Sequence, residues 1–250
     1  MKTILKVVVG SQAHGLADEK SDWDYRGVFV VPTSEMLKTF TKQKRNSWIE
    51  GDVDDTSYEI GHFLELCQKG NLSVLEILFA PMVEITPLGR ELKQLYPKMT
   101  DTKSIVTAAI GYSHNQRKKM EDNKDGRKWK YAVAYCRSLI QAKELLTGGK
   151  MTFPFSKPRY LGELKSIRAG RQSMGWVLDF AEFLTEELRE TEKGCPVTVT
   201  DKKIIDDFLL RVRQSYWSED TFRKSLFETT KFKFQLPKQK EVPHFRMYDD

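Results

Sequence analysis

Ile4-Leu5-Lys6-Val7-Val8-Val9 runs into Gly10-Ser11, and Ser21-Asp22-Trp23-Asp24-Tyr25 runs into Val28-Phe29-Val30-Val31. The first stretch is β-branched and stops at a glycine, as a buried strand does. The second opens on two aspartates at alternate positions. Residues two apart in a strand share a face, so Asp22 and Asp24 are expected side by side on one sheet surface. Like charges held that close are costly unless a cation lies between them. Gly10 lets backbone amides approach an anion, and Ser11 adds a hydroxyl at the start of the next turn. The pattern implies a divalent metal carrying a phosphate chain. A calcium loop is excluded, because its twelfth position is Thr33 instead of glutamate and Val28 to Val31 is strand-like.

Outward from this stretch the pattern stays strand-like and then changes period. Pro32 stops the second strand. Ser47-Trp48-Ile49 and Asp54 to Tyr58 read as two further short strands. Phe63, Leu64, Leu66 and Cys67 mark a helix ending near Gly70, and Leu72 to Phe79 a second short one before Pro81. Beyond Pro87 helical stripes take over: Ile105 to Tyr112, Trp129 to Leu145, Trp176 to Leu188 and Ile204 to Val212. Gln116 to Gly126 is charged and reads as a helix end with a linker. The reading is α+β: a small mixed sheet in a head of residues 1–100, a helical domain at 101–217, and a basic tail at 218–250. Phe222, Phe227, Phe232, Phe234 and Phe245 argue that the tail docks on the body. Lys231-Phe232-Lys233-Phe234 reads as an edge strand, with a stacking strip for single-stranded RNA as the rival.

The chain has 250 residues and a formal charge of +6, a mild basic excess that suits a polyanionic partner. Cys67, Cys136 and Cys195 are far apart and include no Cys-x-x-Cys pair. Neither a disulfide framework nor a zinc site is indicated, and a reducing, cytoplasmic setting is expected. The four histidines share no metal-ligand spacing. The apolar run after Met1 is broken by Lys6, too short for a signal segment, and no stretch reaches the ~20 apolar residues of a membrane span.

Gly10 to Ala17, Ser21 to Val28 and Asn71 to Phe79, taken together, resemble the DNA polymerase beta superfamily of nucleotidyltransferases. Within it they resemble the branch associated with RNA repair operons and also found in phages. The likeness extends to Lys130–Arg137 and to Ile167-Arg168-Ala169-Gly170. It implies an enzyme of the nucleotidyl-transfer class that moves an NMP from an NTP, ATP among the donors, to a hydroxyl and releases pyrophosphate. It implies two Mg²⁺ ions, with Mn²⁺ as a substitute, bridged by Asp22 and Asp24.

The superfamily adds a third carboxylate on a neighbouring strand. Asp52, Asp54 and Asp55 are the candidates, and the family spacing to Tyr58 and Phe63 favours Asp54 as catalytic and metal-binding. Gly10 and Ser11 are the expected phosphate holders. Lys130 and Arg137 lie two helical turns apart on one face, where the family packs a helix over the nucleotide. Here Ala134 replaces a histidine often found between them. Arg26 either touches phosphate or pairs with the two aspartates. The family association and the charge point to an RNA end, tRNA-like, as acceptor and to no membrane partner. Protein nucleotidylylation, as in antitoxin relatives, and a non-catalytic nucleotide- or RNA-binding module are the alternatives.

Overall fold

A computed structural model describes residues 1–19, 21–39, 45–50, 53–155, 157–196, 198–221, 223 and 226–233, with the backbone alone for 45–50 and 53–54. Asp52, Phe222, Phe234 and Phe245 lie outside the described residues. The chain runs β1 (Lys2–Val9), α1 (Gly10–His14), β2 (Trp23–Val30), α2 (Thr33–Met36), β3 (Arg45–Glu50) and β4 (Val53–Glu59). It continues through α3 (Ile60–Gln68), α4 (Leu72–Leu75), a 3-10 turn (Glu76–Leu78), β5 (Met82–Ile85), α5 (Pro87–Gln94) and α6 (Tyr96–Met99). Four long helices follow, α7 (Thr102–Asp122), α8 (Lys128–Gly148), α10 (Met174–Gly194) and α11 (Lys202–Ser215), with α9 (Pro158–Arg168) between α8 and α10 and β6 (Thr230–Lys231) last.

The strands form one mixed sheet in the order β3-β4-β2-β1-β5-β6. β2 pairs antiparallel with β1 and parallel with β4, so the aspartate strand is central. Its second half, Gly27 to Val30, is buried, as the apolar run predicts, while Trp23 to Arg26 opens outward. Trp23 is half-buried and stacks on Tyr25 at 6.3 Å. This happens because it occupies the first strand position, before the sheet gains cover from the helices.

The α+β reading holds, and the four long helical stripes fall on α7, α8, α10 and α11. The stripe on α10 is corrected at one position. Val177, Phe180, Ala181, Leu184 and Leu188 are buried, but Phe183 is 43% exposed because it lies off that face. Among the elements that went unread in the sequence are α2, β5 and α9. β5 supplies one edge of β1, with Leu5 opposite Ile85, and β6 adds to its far side. In the tail, Phe227 is buried against Tyr216 at 5.6 Å, whereas Phe232 is 42% exposed.

Candidate active site

The turn from β1 into α1 sets the floor of the site. β1 and β2 pair so that Val9 faces Asp24. The chain leaves Val9 through Gly10 with φ +66°, a left-handed conformation that favours glycine. A Cβ at Gly10 would lie 1.9 Å from Asp24 Oδ2. The glycine therefore does two jobs: it turns the chain, and it makes room for the carboxylate. Asp22, one residue ahead of β2, is exposed, and Asp24 is half-buried. Both line a cavity of about 940 Å³ together with Gly10 and Ser11.

The neighbouring strand separates the candidate third carboxylates. β4 runs parallel to β2 with Asp54 opposite Asp24 and Asp55 opposite Tyr25. Successive residues of a strand belong to opposite faces. Asp55 is occupied elsewhere: its Oδ2 accepts from Lys6 Nζ at 2.5 Å, and the same ammonium lies 5.0 Å from the Tyr25 ring centroid. Among the described residues no three metal-ligating side chains converge. Asp22 and Asp24 are hard oxygen donors with Asp54 at the adjacent register position. That chemistry suits Mg²⁺ or Mn²⁺ and not a soft-ligand metal.

Arg26 follows Asp24 on the same strand face, but its bonds go to a third party. Nη1 donates to the Ser73 carbonyl at 2.6 Å and to Glu76 Oε1 at 2.8 Å. Glu76, on the 3-10 turn, is only 3% exposed. Its other oxygen lies 3.5 Å from Nε2 of His14, whose ring packs against Phe153 and Phe155 at 5.0 and 5.4 Å. Burial and the Arg137 charge push His14 down to about 4 despite the carboxylate, so it is neutral. Burial alone would raise the Glu76 carboxyl. The His14 contact and the Arg26 and Arg137 charges outweigh it and hold the group at about 2. Arg137 reaches into the same region from α8, and its Nε is buried with no hydrogen-bond partner among the described residues. Glu76 thus stands between two guanidiniums beside Asp24.

The remaining walls come from the helical half. Gln116 and Lys119 of α7 and Lys130, Ala134 and Arg137 of α8 line the cavity. On the side facing α8, Arg168 at the end of α9 donates from Nη2 to Asp18 Oδ2 at 3.1 Å and to Ser21 Oγ at 2.9 Å. It thereby ties α9 to the loop that leads into Asp22.

A family model described as the RNA repair pathway DNA polymerase beta family matches residues 1–223. The chain belongs to that family. Membership in this RNA repair pathway polymerase beta family supports a transferase of the nucleotidyl-transfer type. No curated protein matches the chain. Among solved structures the chain is similar to a nucleotidyltransferase-like protein from Exiguobacterium sibiricum 255-15, with 8% identity. The match covers 91% of this chain and 81% of that one, with a TM-score of 0.30.

In this polymerase-beta family member the described side chains of the candidate site meet in one place. Gly10, Ser11, Asp22, Asp24, Arg26, Lys130 and Arg137 all line the one cavity, from segments more than a hundred residues apart. His62 does not; it is half-buried beside Glu65 at 3.4 Å. Sequence reasoning passed over Glu76, Arg168, Lys119 and Arg127, which line it too. Glu76 carried one usable signal: an acidic residue in the otherwise apolar Leu72 to Phe79, where burial demands a cationic partner. Among the described residues no helix is long and apolar enough to cross a membrane.

Proposed function

We propose that the chain transfers an NMP from an NTP to a hydroxyl at an RNA end, tRNA-like, in a Mg²⁺-dependent reaction. The observation that carries this reading is the Gly10–Asp24 close approach at the floor of a cavity that Ser11, Arg137 and Lys130 also line. Asp22, Asp24 and Asp54 would hold two Mg²⁺ ions. Those ions supply charge neutralisation on the triphosphate and a lowered pKa for the acceptor hydroxyl. Ser11 and the adjacent backbone hold the β- and γ-phosphates. Arg137 and Lys130 face the charge that accumulates on the leaving pyrophosphate. The acceptor oxygen bonds to the α-phosphorus as the bond to the bridging α–β oxygen breaks. With Ala134 on the wall, α8 contributes charge to this step and no imidazole. In this division of labour the head, residues 1–100, carries the carboxylates, and the helical part, 101–217, carries the cations that close over the nucleotide.

The test is incubation with labelled NTPs, Mg²⁺ and an RNA pool, resolved in parallel on RNA and protein gels. The expected result is label on RNA that vanishes in Asp22→Asn, Asp24→Asn and Asp54→Asn. Asp55→Asn, which removes only the Lys6 partner, keeps it. Label on a protein band would replace the RNA acceptor by a protein hydroxyl. Tight NTP binding with no labelled product would leave a binding module. Loss in Asp55→Asn with retention in Asp54→Asn would overturn the third-carboxylate assignment.

A further inference from the structure

The tip of the α7–α8 hairpin is not used by the chemistry above. Residues 117–128 carry six Lys or Arg against three Asp or Glu. Lys118, Lys124 and Lys128 are exposed or half-buried and have no ion pair among the described residues. At the mouth of the cavity the tip presents Lys119, Arg127 and Tyr131. Lys119 Nζ and Arg127 Cζ each lie 5.7 Å from the centroid of the Tyr131 ring. Asp125 Oδ2 accepts from Arg127 Nε at 2.7 Å and from the Tyr131 hydroxyl. A carboxylate of the chain itself thus sits where a guanidinium and a phenol converge on an anion, with cations on the aromatic ring.

We propose that this tip is the entry site for a single-stranded polynucleotide acceptor. Lys119 and Arg127 contact consecutive backbone phosphates, and a base takes the place of one of these long, exposed side chains on the Tyr131 ring. The reaction centre then receives the strand's terminal hydroxyl. The proposal rests on the nucleotidyl-transfer reading of the cavity and adds the residues that hold the acceptor and the single-stranded form in which it enters. Three observations favour a polynucleotide. A volume of about 940 Å³ is at the upper end for a site holding one small ligand, which leaves space beside an NTP. A cation–aromatic cluster on a surplus of lysines is the composition of a single-strand platform. The Asp125 clip shows that an oxyanion is accommodated between Arg127 and Tyr131. The tip is also held in shape, since Asn123 accepts the Lys128 amide at 3.0 Å and closes the turn.

The experiment measures binding apart from catalysis, in the Asp24→Asn background, by anisotropy of a short 5′-fluorescein-labelled oligoribonucleotide over a salt series. Tyr131→Ala should weaken binding by roughly 5- to 150-fold, the range for loss of one base stack, and Tyr131→Phe should restore most of it. Lys119→Gln and Arg127→Gln should each flatten the log–log salt slope by about 0.7, as one lost phosphate contact on a single strand does. Lys103→Gln, on the exposed first turn of α7 and far from the tip, should match the parent. Melting curves serve as the folding control. Equal binding by the tip variants and the parent overturns the proposal, as does no binding by the parent. Binding that depends on the tip in a protein whose wild-type form labels no acceptor would uphold this site and remove the transfer reading instead.

Discussion

The floor and the rim of the cavity both carry cations, yet they are built on opposite terms. On the floor, Glu76 at 3% exposure holds Arg26 and neighbours His14. On the rim, Lys119, Arg127 and Lys130 are exposed, and Arg127 and Tyr131 share a single carboxylate. Burial makes electrostatics strong and unforgiving, because an unpaired charge there has no water to fall back on. Exposure makes each contact weak, screened and replaceable by a ligand. The floor therefore fixes where the reacting groups stand, and the rim is free to exchange its own partners for a substrate's. Substitutions on the floor should be costly in stability, and substitutions on the rim should leave stability nearly unchanged.

Glu76→Gln should show the largest effect. It leaves the half-buried Arg26 and Arg137 without the Glu76 counter-charge, a loss of about 1–3 kcal/mol, read as a lower denaturation midpoint at neutral pH. The gap should depend on pH in one direction. The Glu76 carboxyl is lowered from 4.5 to about 2 in the fold, so its contribution is complete above 4.5 and disappears as pH falls through about 2. The difference between wild type and variant should narrow across that window. His14 adds a separate slope. Its pKa is lowered from 6.5 to about 4, so the unfolded chain takes up a proton that the fold refuses, and stability should begin to drop below pH 6.5. His14→Gln should remove that upper portion while leaving the lower one. A pH-independent gap for Glu76→Gln would mean that the carboxylate is not charged in the fold, and the distinction between floor and rim would lose its basis.

Gly10→Ala comes next. The added methyl would meet Asp24 Oδ2 at 1.9 Å, in a backbone conformation with φ +66°. The carboxylate must shift, and a displacement of that order costs about 10²-fold in rate when it misplaces reacting groups. The matched control is Gly111→Ala on exposed α7, where a Cβ meets nothing within 4 Å. That substitution should be neutral or stabilise by up to about 1 kcal/mol. Equal kcat for both variants would show that the Asp24 position is not critical.

What was legible in the sequence divides along the same line as floor and rim. The strand ending at Gly10-Ser11, the alternate aspartates and the helical stripes announce themselves locally, since a period or a dipeptide carries them. The Lys130–Arg137 edge was readable for the same reason, as residues two turns apart on one helix share a face. The Arg26–Glu76 pair was not, because its partners are 50 residues apart and nothing near Arg26 names the carboxylate it meets. The sequence offers phosphate and the aspartates as its partners, and the fold adds Glu76 and the Ser73 carbonyl. β5 was missed because four residues between two prolines have no pattern of their own. They become a strand only by pairing with β1 about eighty residues earlier. Asp54 stood out from Asp55 by family spacing alone, and the physical ground for it, Lys6 holding Asp55, lies on another strand.

Arg168 gives the smallest expected effect and the finest test of the rim. Its guanidinium joins α9 to Asp18 and Ser21, in the loop that delivers Asp22, with 31% and 61% of the Arg168 and Asp18 side chains exposed. A pair that open to water is worth about 0.2–1 kcal/mol, so Arg168→Gln should move the denaturation midpoint little. The glutamine amide can still bond to Ser21 but carries no charge. If Arg168 only positions the loop, kcat should fall a few-fold with KM unchanged. Raising the salt concentration should then bring wild type toward the variant, because screening weakens the same ion pair. If Arg168 also touches the triphosphate, KM should rise instead, and Asp18→Asn, which frees the guanidinium for the ligand, should lower it. A stability loss as large as that of Glu76→Gln would place Arg168 with the floor. It would mean that the loop leading into Asp22 is locked before any substrate arrives.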